Sequence, residues 1–149
     1  MDQEVIESID LTNRCVLPTR ADALAREVEN SFKHFSPYRV LAAISRPNTI
    51  KAAQTTARNQ TWVNQAFIAC ALERFHQAHG KYPENLDALV PKYADALPRD
   101  TIQGQSFRYR RTADGGFSLY SVGWNEKDDG GIAAINPADG DWVWATAKP

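Results

Sequence analysis

Six side chains that can offer oxygen ligands, Asn125, Glu126, Asp128, Asp129, Asp139 and Asp141, fall within 17 positions and are interleaved with glycine. Calcium takes about six to eight oxygens from carboxylates, amides and backbone carbonyls, and glycine-rich turns let a carbonyl and a carboxylate face one ion. The same residue types also make turns, because Asp and Asn hydrogen-bond to nearby backbone and glycine supplies positive φ. Cation binding and turn chemistry are both open readings of this loop.

Other reactive side chains form weaker patterns. Glu73, His76 and His79 follow one another at i,i+3 spacing on one helix face. Carboxylate-bridged metal sites use Glu-x-x-His, but they need a matching motif on other helices, and none is present. A solvated helix end is the expected reading. Ser118 and Ser121 lack the G-x-S-x-G elbow, no His–Asp pair is placed by a recognisable pattern, and adjacent carboxylates such as Asp128 and Asp129 usually point apart. The chain is therefore expected not to be an enzyme. Arg108, Arg110 and Arg111 beside Tyr109 make a basic, aromatic strand that suits a carboxylate or RNA, against the plainer reading of a solvated strand face. Trp62, Trp124, Trp142 and Trp144 are split by pattern: Trp142 and Trp144 share one strand face and belong to the core, whereas an exposed tryptophan would mark a partner or sugar surface.

The elements that must carry these residues fit one ordinary globular unit. The 149 residues are 43% hydrophobic and 23% charged, which predicts a packed core. With 17 Lys+Arg against 18 Asp+Glu, the net charge of -1 supplies no field for nucleic acid, so no nucleic-acid partner is expected. The longest apolar run, Ala66 to Leu72, is far shorter than the roughly 20 residues of a membrane span. Met1 to Asp10 is acidic and polar, unlike a secretory signal. Cys15 and Cys70 have no metal or redox spacing, and Cys70 reads as a small buried hydrophobe.

Residues 1–18 read as irregular. Leu24, Val28, Phe32 and Phe35 predict a helix over 22–35, and a short helix over 37–45 follows. Asn48 offers a cap, and no proline or glycine intervenes before Gly80, so a helix of up to about 30 residues is predicted. Its stripe of Val63, Phe67, Ala71 and Phe75, flanked by Ile68 and Leu72, should face the core, with Asn64 and Gln65 turned away. A short helix over 84–90, a hairpin formed by 107–111 and 117–122, a short strand at 132–135 and a last strand at 142–144 complete the pattern. The expectation is an α+β fold: a long helix on a small antiparallel sheet of three or four strands, preceded by N-terminal helices, with residues 1–60 as a helical segment and 61–149 as the α+β domain.

The order of these signals resembles the globular domain of type II secretion major pseudopilins. Ala71-Leu72-Glu73-Arg74-Phe75, followed by Gly80-Lys81-Tyr82-Pro83, is similar to that family's helix-to-loop junction. Leu86-Asp87-Ala88-Leu89, Leu97-Pro98-Arg99-Asp100, Leu119-Tyr120-Ser121-Val122-Gly123, Asp128-Asp129-Gly130-Gly131 and Gly140-Asp141-Trp142-Val143-Trp144 are similar to its later elements. The likeness covers about residues 61–145, without the membrane helix that opens pseudopilins. It implies calcium held by Asn125, Asp128, Asp129 and Asp141, with a carbonyl from Tyr120 or Val122. It also implies a non-enzymatic structural or assembly role in the bacterial cell envelope, with other protein subunits or envelope components as partners. The competing expectation is a stand-alone domain that holds a peptide or glycan through Trp124 and the basic strand. A hydrolase comes third and would need Asp128 or Asp129 close to a histidine.

Overall fold

The computed structural model describes residues 8–31, 49–136 and 138–144. The first elements are two short antiparallel strands, β1 (Ile9–Asp10) and β2 (Cys15–Val16), paired Ile9 to Val16. Asp10 Oδ1 closes their turn by accepting the N–H groups of Thr12 and Asn13 at 3.0 and 3.1 Å. This hairpin stands where irregular chain was expected, because two-residue strands carry no alternation to read.

Helix α1 (Pro18–Ser31) begins four residues before the predicted start at Asp22. Proline suits a first helical turn, where its missing N–H would have had no partner. Phe32, Phe35, the predicted helix over 37–45 and Asn48 lie outside the described residues.

Helix α2 (Thr49–His79) runs 31 residues, through the expected boundary at 60/61. It stops where Gly80 takes φ +70° and donates its N–H to His76 O at 2.7 Å. A 3-10 turn (Leu86–Leu89) is capped by Asn85, whose side chain accepts from Ala88 N. Three strands follow, β3 (Arg108–Arg111), β4 (Phe117–Ser121) and β5 (Trp142–Val143), in the antiparallel order β3-β4-β5. Residues 132–135, expected as a strand, are not one. The fold is thus α+β, a long helix with small antiparallel sheets of two and three strands. Among the described residues no helix is long and apolar enough to cross a membrane.

Helix α2 is the spine of the core, but not by its predicted stripe. Its buried line is Ala57, Thr61, Gln65, Ile68 and Leu72, spaced four, four, three and four. Val63 and Phe67 are 62% and 51% exposed, and Gln65 is fully buried. A helix turns about 100° per residue, so a strict row of fours drifts about 40° at each step. Val63 and Phe67 therefore start on the solvent side, and the row reaches the core only at Ala71 and Phe75. Cys70 is likewise exposed, and Cys15 is the buried thiol.

The lower half of α2 packs Ile68, Ala69 and Leu72 against Leu89, Tyr93, Phe107, Phe117 and Leu119. Its upper half puts Ala57 with Ala21, Ile102, Val122, Trp124 and Trp142. β2 joins this second cluster directly, since Val16 N–H donates to Thr101 O at 2.8 Å and Gln103 N–H to Val16 O at 3.3 Å.

Candidate functional site

The acidic loop between β4 and β5 folds back over the sheet face opposite α2. Alternation along the hairpin decides which side chains it meets. Register pairs Arg108 with Tyr120 and Arg110 with Ser118, so these four share the outer face, while Tyr109, Phe117 and Leu119 face the helix. The outer four receive the loop. Arg108 Nε lies 3.3 Å from Asp128 Oδ2, the Tyr120 hydroxyl donates to Asp128 Oδ1 at 3.1 Å, and Arg110 donates to Gly130 O at 3.2 Å.

Asp141 fastens the loop from inside. It is 2% exposed and accepts the N–H of Gly131 at 2.6 Å and of Asp129 at 3.3 Å, one on each carboxylate oxygen. Burial pushes its pKa up; those two N–H groups oppose the shift, and the charges of Asp129 and Asp128 add to it. Asp128 moves the other way, drawn down mainly by the Gly130 N–H, with Tyr120 and Arg108 assisting. Asn125 uses both ends of its amide: Nδ2 donates to Asp129 Oδ2 and Oδ1 accepts from Lys127 N, each at 3.0 Å.

The structure therefore links Asn125, Asp129 and Asp141 in one hydrogen-bonded chain and turns Asp128 toward Tyr120 and Arg108. As arranged, most of these oxygens are engaged by N–H and O–H donors. Among the described residues no three His, Cys, Asp or Glu side chains group as a metal site needs. The two remaining acids of the loop are engaged elsewhere. Glu126 accepts from Thr19 and from Gln103, tying the loop to α1, and Asp139 accepts from Asn136 at 2.7 Å.

Glu73, His76 and His79 are each engaged by an aromatic neighbour. Glu73 accepts the Tyr82 hydroxyl at 2.6 Å, and His76 stacks on Tyr82 at 4.4 Å. His79 stacks on Phe75 at 4.1 Å and has Nδ1 2.9 Å from Phe75 O. No hydrogen bond among the described residues joins these histidines to Asp128 or Asp129, and His34 lies outside the described residues. Trp124 is 5% exposed and its indole donates to Asp22 Oδ1 at 3.2 Å, so it holds α1 to the sheet instead of forming a surface.

Two features escaped the sequence pattern. Asp100 is 4% exposed, accepts Ile102 N–H at 3.0 Å and is hydrogen-bonded to Ser121; burial raises its pKa to about 6. Only the residue type at an otherwise turn-like position could have hinted at it. The Arg108–Tyr120–Asp128 contact was partly legible, since hairpin alternation places Arg108 and Tyr120 on one face.

Comparison with family models, curated proteins and solved structures finds no match to this chain.

Proposed function

We propose that this chain is a non-enzymatic structural or assembly module of the bacterial cell envelope, used in the manner of a pseudopilin globular domain. The observation that carries the reading is the division of labour on α2. One face is committed to the sheet, the opposite side leaves Val63 62% and Phe67 51% exposed one turn apart, and Trp62 is 41% exposed on the flank. Large apolar side chains exposed close together on a helix that has already satisfied its own core are the form expected of a contact with another protein subunit.

The test is cell fractionation with the chain expressed from its own gene. Recovery with the envelope, lost in Phe67→Glu while the purified variant keeps its melting temperature, supports the assembly role. Recovery of the unmodified chain in the cytosol alone would overturn it.

Calcium belongs to the same proposal as a ligand of the acidic loop. Binding at Asn125, Asp128, Asp129 and Asp141 has to draw Asp128 from Arg108 and Tyr120 and displace N–H donors from Asp141. A ligand that binds only the folded state stabilises it, by about 2.7 kcal/mol at a hundredfold excess over Kd. A calcium-specific rise in Tm, absent with magnesium and lost in Asp129→Ala, supports it. An unchanged Tm reduces the four residues to acceptors that close the loop.

A further inference from the structure

We propose that the free edge of β3 is a docking site for an extended acidic segment of a partner protein, added to the sheet as a further strand. The proposal goes beyond the envelope role and does not depend on it. Among the described residues β3 has one neighbour, β4, and stands at the margin of the sheet. Its register shows which backbone groups are turned outward. Thr112 N–H donates to Gly116 O at 3.0 Å, and the two-residue alternation of an antiparallel ladder carries the bonded pairs to Arg110–Ser118 and Arg108–Tyr120. The N–H and C=O of Tyr109 and Arg111 therefore point away from β4, spaced as an incoming strand requires.

The side chains at this edge select the charge of the occupant. Arg108, Arg110 and Arg111 are all exposed. Arg108 has Asp128 at 3.3 Å, but Arg110 and Arg111 meet only neutral carbonyls in their hydrogen bonds, Gly130 O at 3.2 Å and Tyr82 O at 3.5 Å. Among the described residues neither is paired with a carboxylate, so both exposed guanidinium groups keep their full charge in a chain whose net charge is -1. Arg108 and Arg110 project from one face of the sheet and Arg111 from the other, so carboxylates on either face of a new strand find a guanidinium.

Self-pairing of two β3 edges is disfavoured by the same residues, because it sets arginines against arginines across the new ladder, and like charges placed opposite are destabilising. An acidic strand gains both the backbone bonds and the charge. A nucleic acid gains only the charge, and three arginines beside an acidic loop make a small footprint for a phosphate backbone.

The experiment is amide NMR on the full chain, titrated with an eight-residue peptide alternating glutamate with valine. A lysine–valine peptide and an oligothymidylate serve as the other probes. Exchange protection of the Tyr109 and Arg111 amides by the glutamate peptide alone is the expected result. Affinity should fall at least about tenfold in the doubly substituted Arg110→Glu, Arg111→Glu chain, and should weaken as sodium chloride rises from about 50 to about 300 mM. Both substitutions lie on the exposed edge, and circular dichroism verifies the fold. The proposal fails if those two amides stay unprotected, if the lysine peptide protects them equally, or if the oligonucleotide binds there more tightly than the glutamate peptide.

Discussion

At Asp100 the fold has buried a carboxyl that water would have kept ionised more easily. It sits in the loop before β3, with the Ile102 N–H and the Ser121 hydroxyl as partners, and burial lifts its pKa from 3.8 to about 6. A folded-state pKa above the unfolded value means that the folded chain binds the proton more tightly. The contribution to stability is then fully present below about pH 4 and is lost as pH rises to about 6. A shift of this size corresponds to roughly 3 kcal/mol. Asp100→Asn should remove this slope, so the variant gains on the parent between pH 4 and pH 7 in urea unfolding; parallel profiles would contradict the assignment. Asp141 is the counterpart that must stay an acceptor. Asp141→Ala leaves the N–H groups of Gly131 and Asp129 without their acceptor, at a cost of about 1–3 kcal/mol. Faster amide exchange at those two residues is the direct readout.

At the scale of the element, α2 gives the sharpest contrast. Leu72 is fully buried and Phe67 is 51% exposed, although both were read as core-facing. Leu72→Ala should cost about 2–5 kcal/mol, and Phe67→Ala under about 1 kcal/mol. Equal losses in denaturant unfolding would restore the stripe the sequence suggested. The end of β4 provides a second test. Gly123 has φ +68°, and a Cβ there would come 2.2 Å from Gly140 O, a backbone atom that cannot swing aside. Gly123→Ala is expected to cost more than about 2 kcal/mol and to loosen the β4–β5 crossing, measured as a lowered Tm.

For the whole molecule, the question is whether its two packed clusters melt together. Helix α2 runs through both, and the upper one draws on α1, the Ile102 loop and β5. Gln65, buried between them, donates to Trp142 O at 2.6 Å and so joins helix to last strand. Tryptophan fluorescence and far-UV circular dichroism should therefore trace one coincident urea transition. Two separated transitions would show that the N-terminal part unfolds independently.

The amino-acid sequence by itself determined the α+β class, the extent of α2 to within a residue of its Asn48 and Gly80 limits, and the hairpin of β3 and β4. These follow from local signals: caps and breakers end helices wherever they occur, and alternation of period two needs no distant partner. Tertiary structure alone decided which face of α2 is buried, because Thr61 and Gln65 look polar until Trp142 O is placed beside Gln65. It also decided that Trp124 anchors α1, that Asp100 is buried, and that Asp128 and Asp141 are spent on Arg108, Tyr120 and backbone N–H groups. Each of these depends on atoms far apart in the chain, where burial and hydrogen bonding outweigh the preference of any residue taken alone.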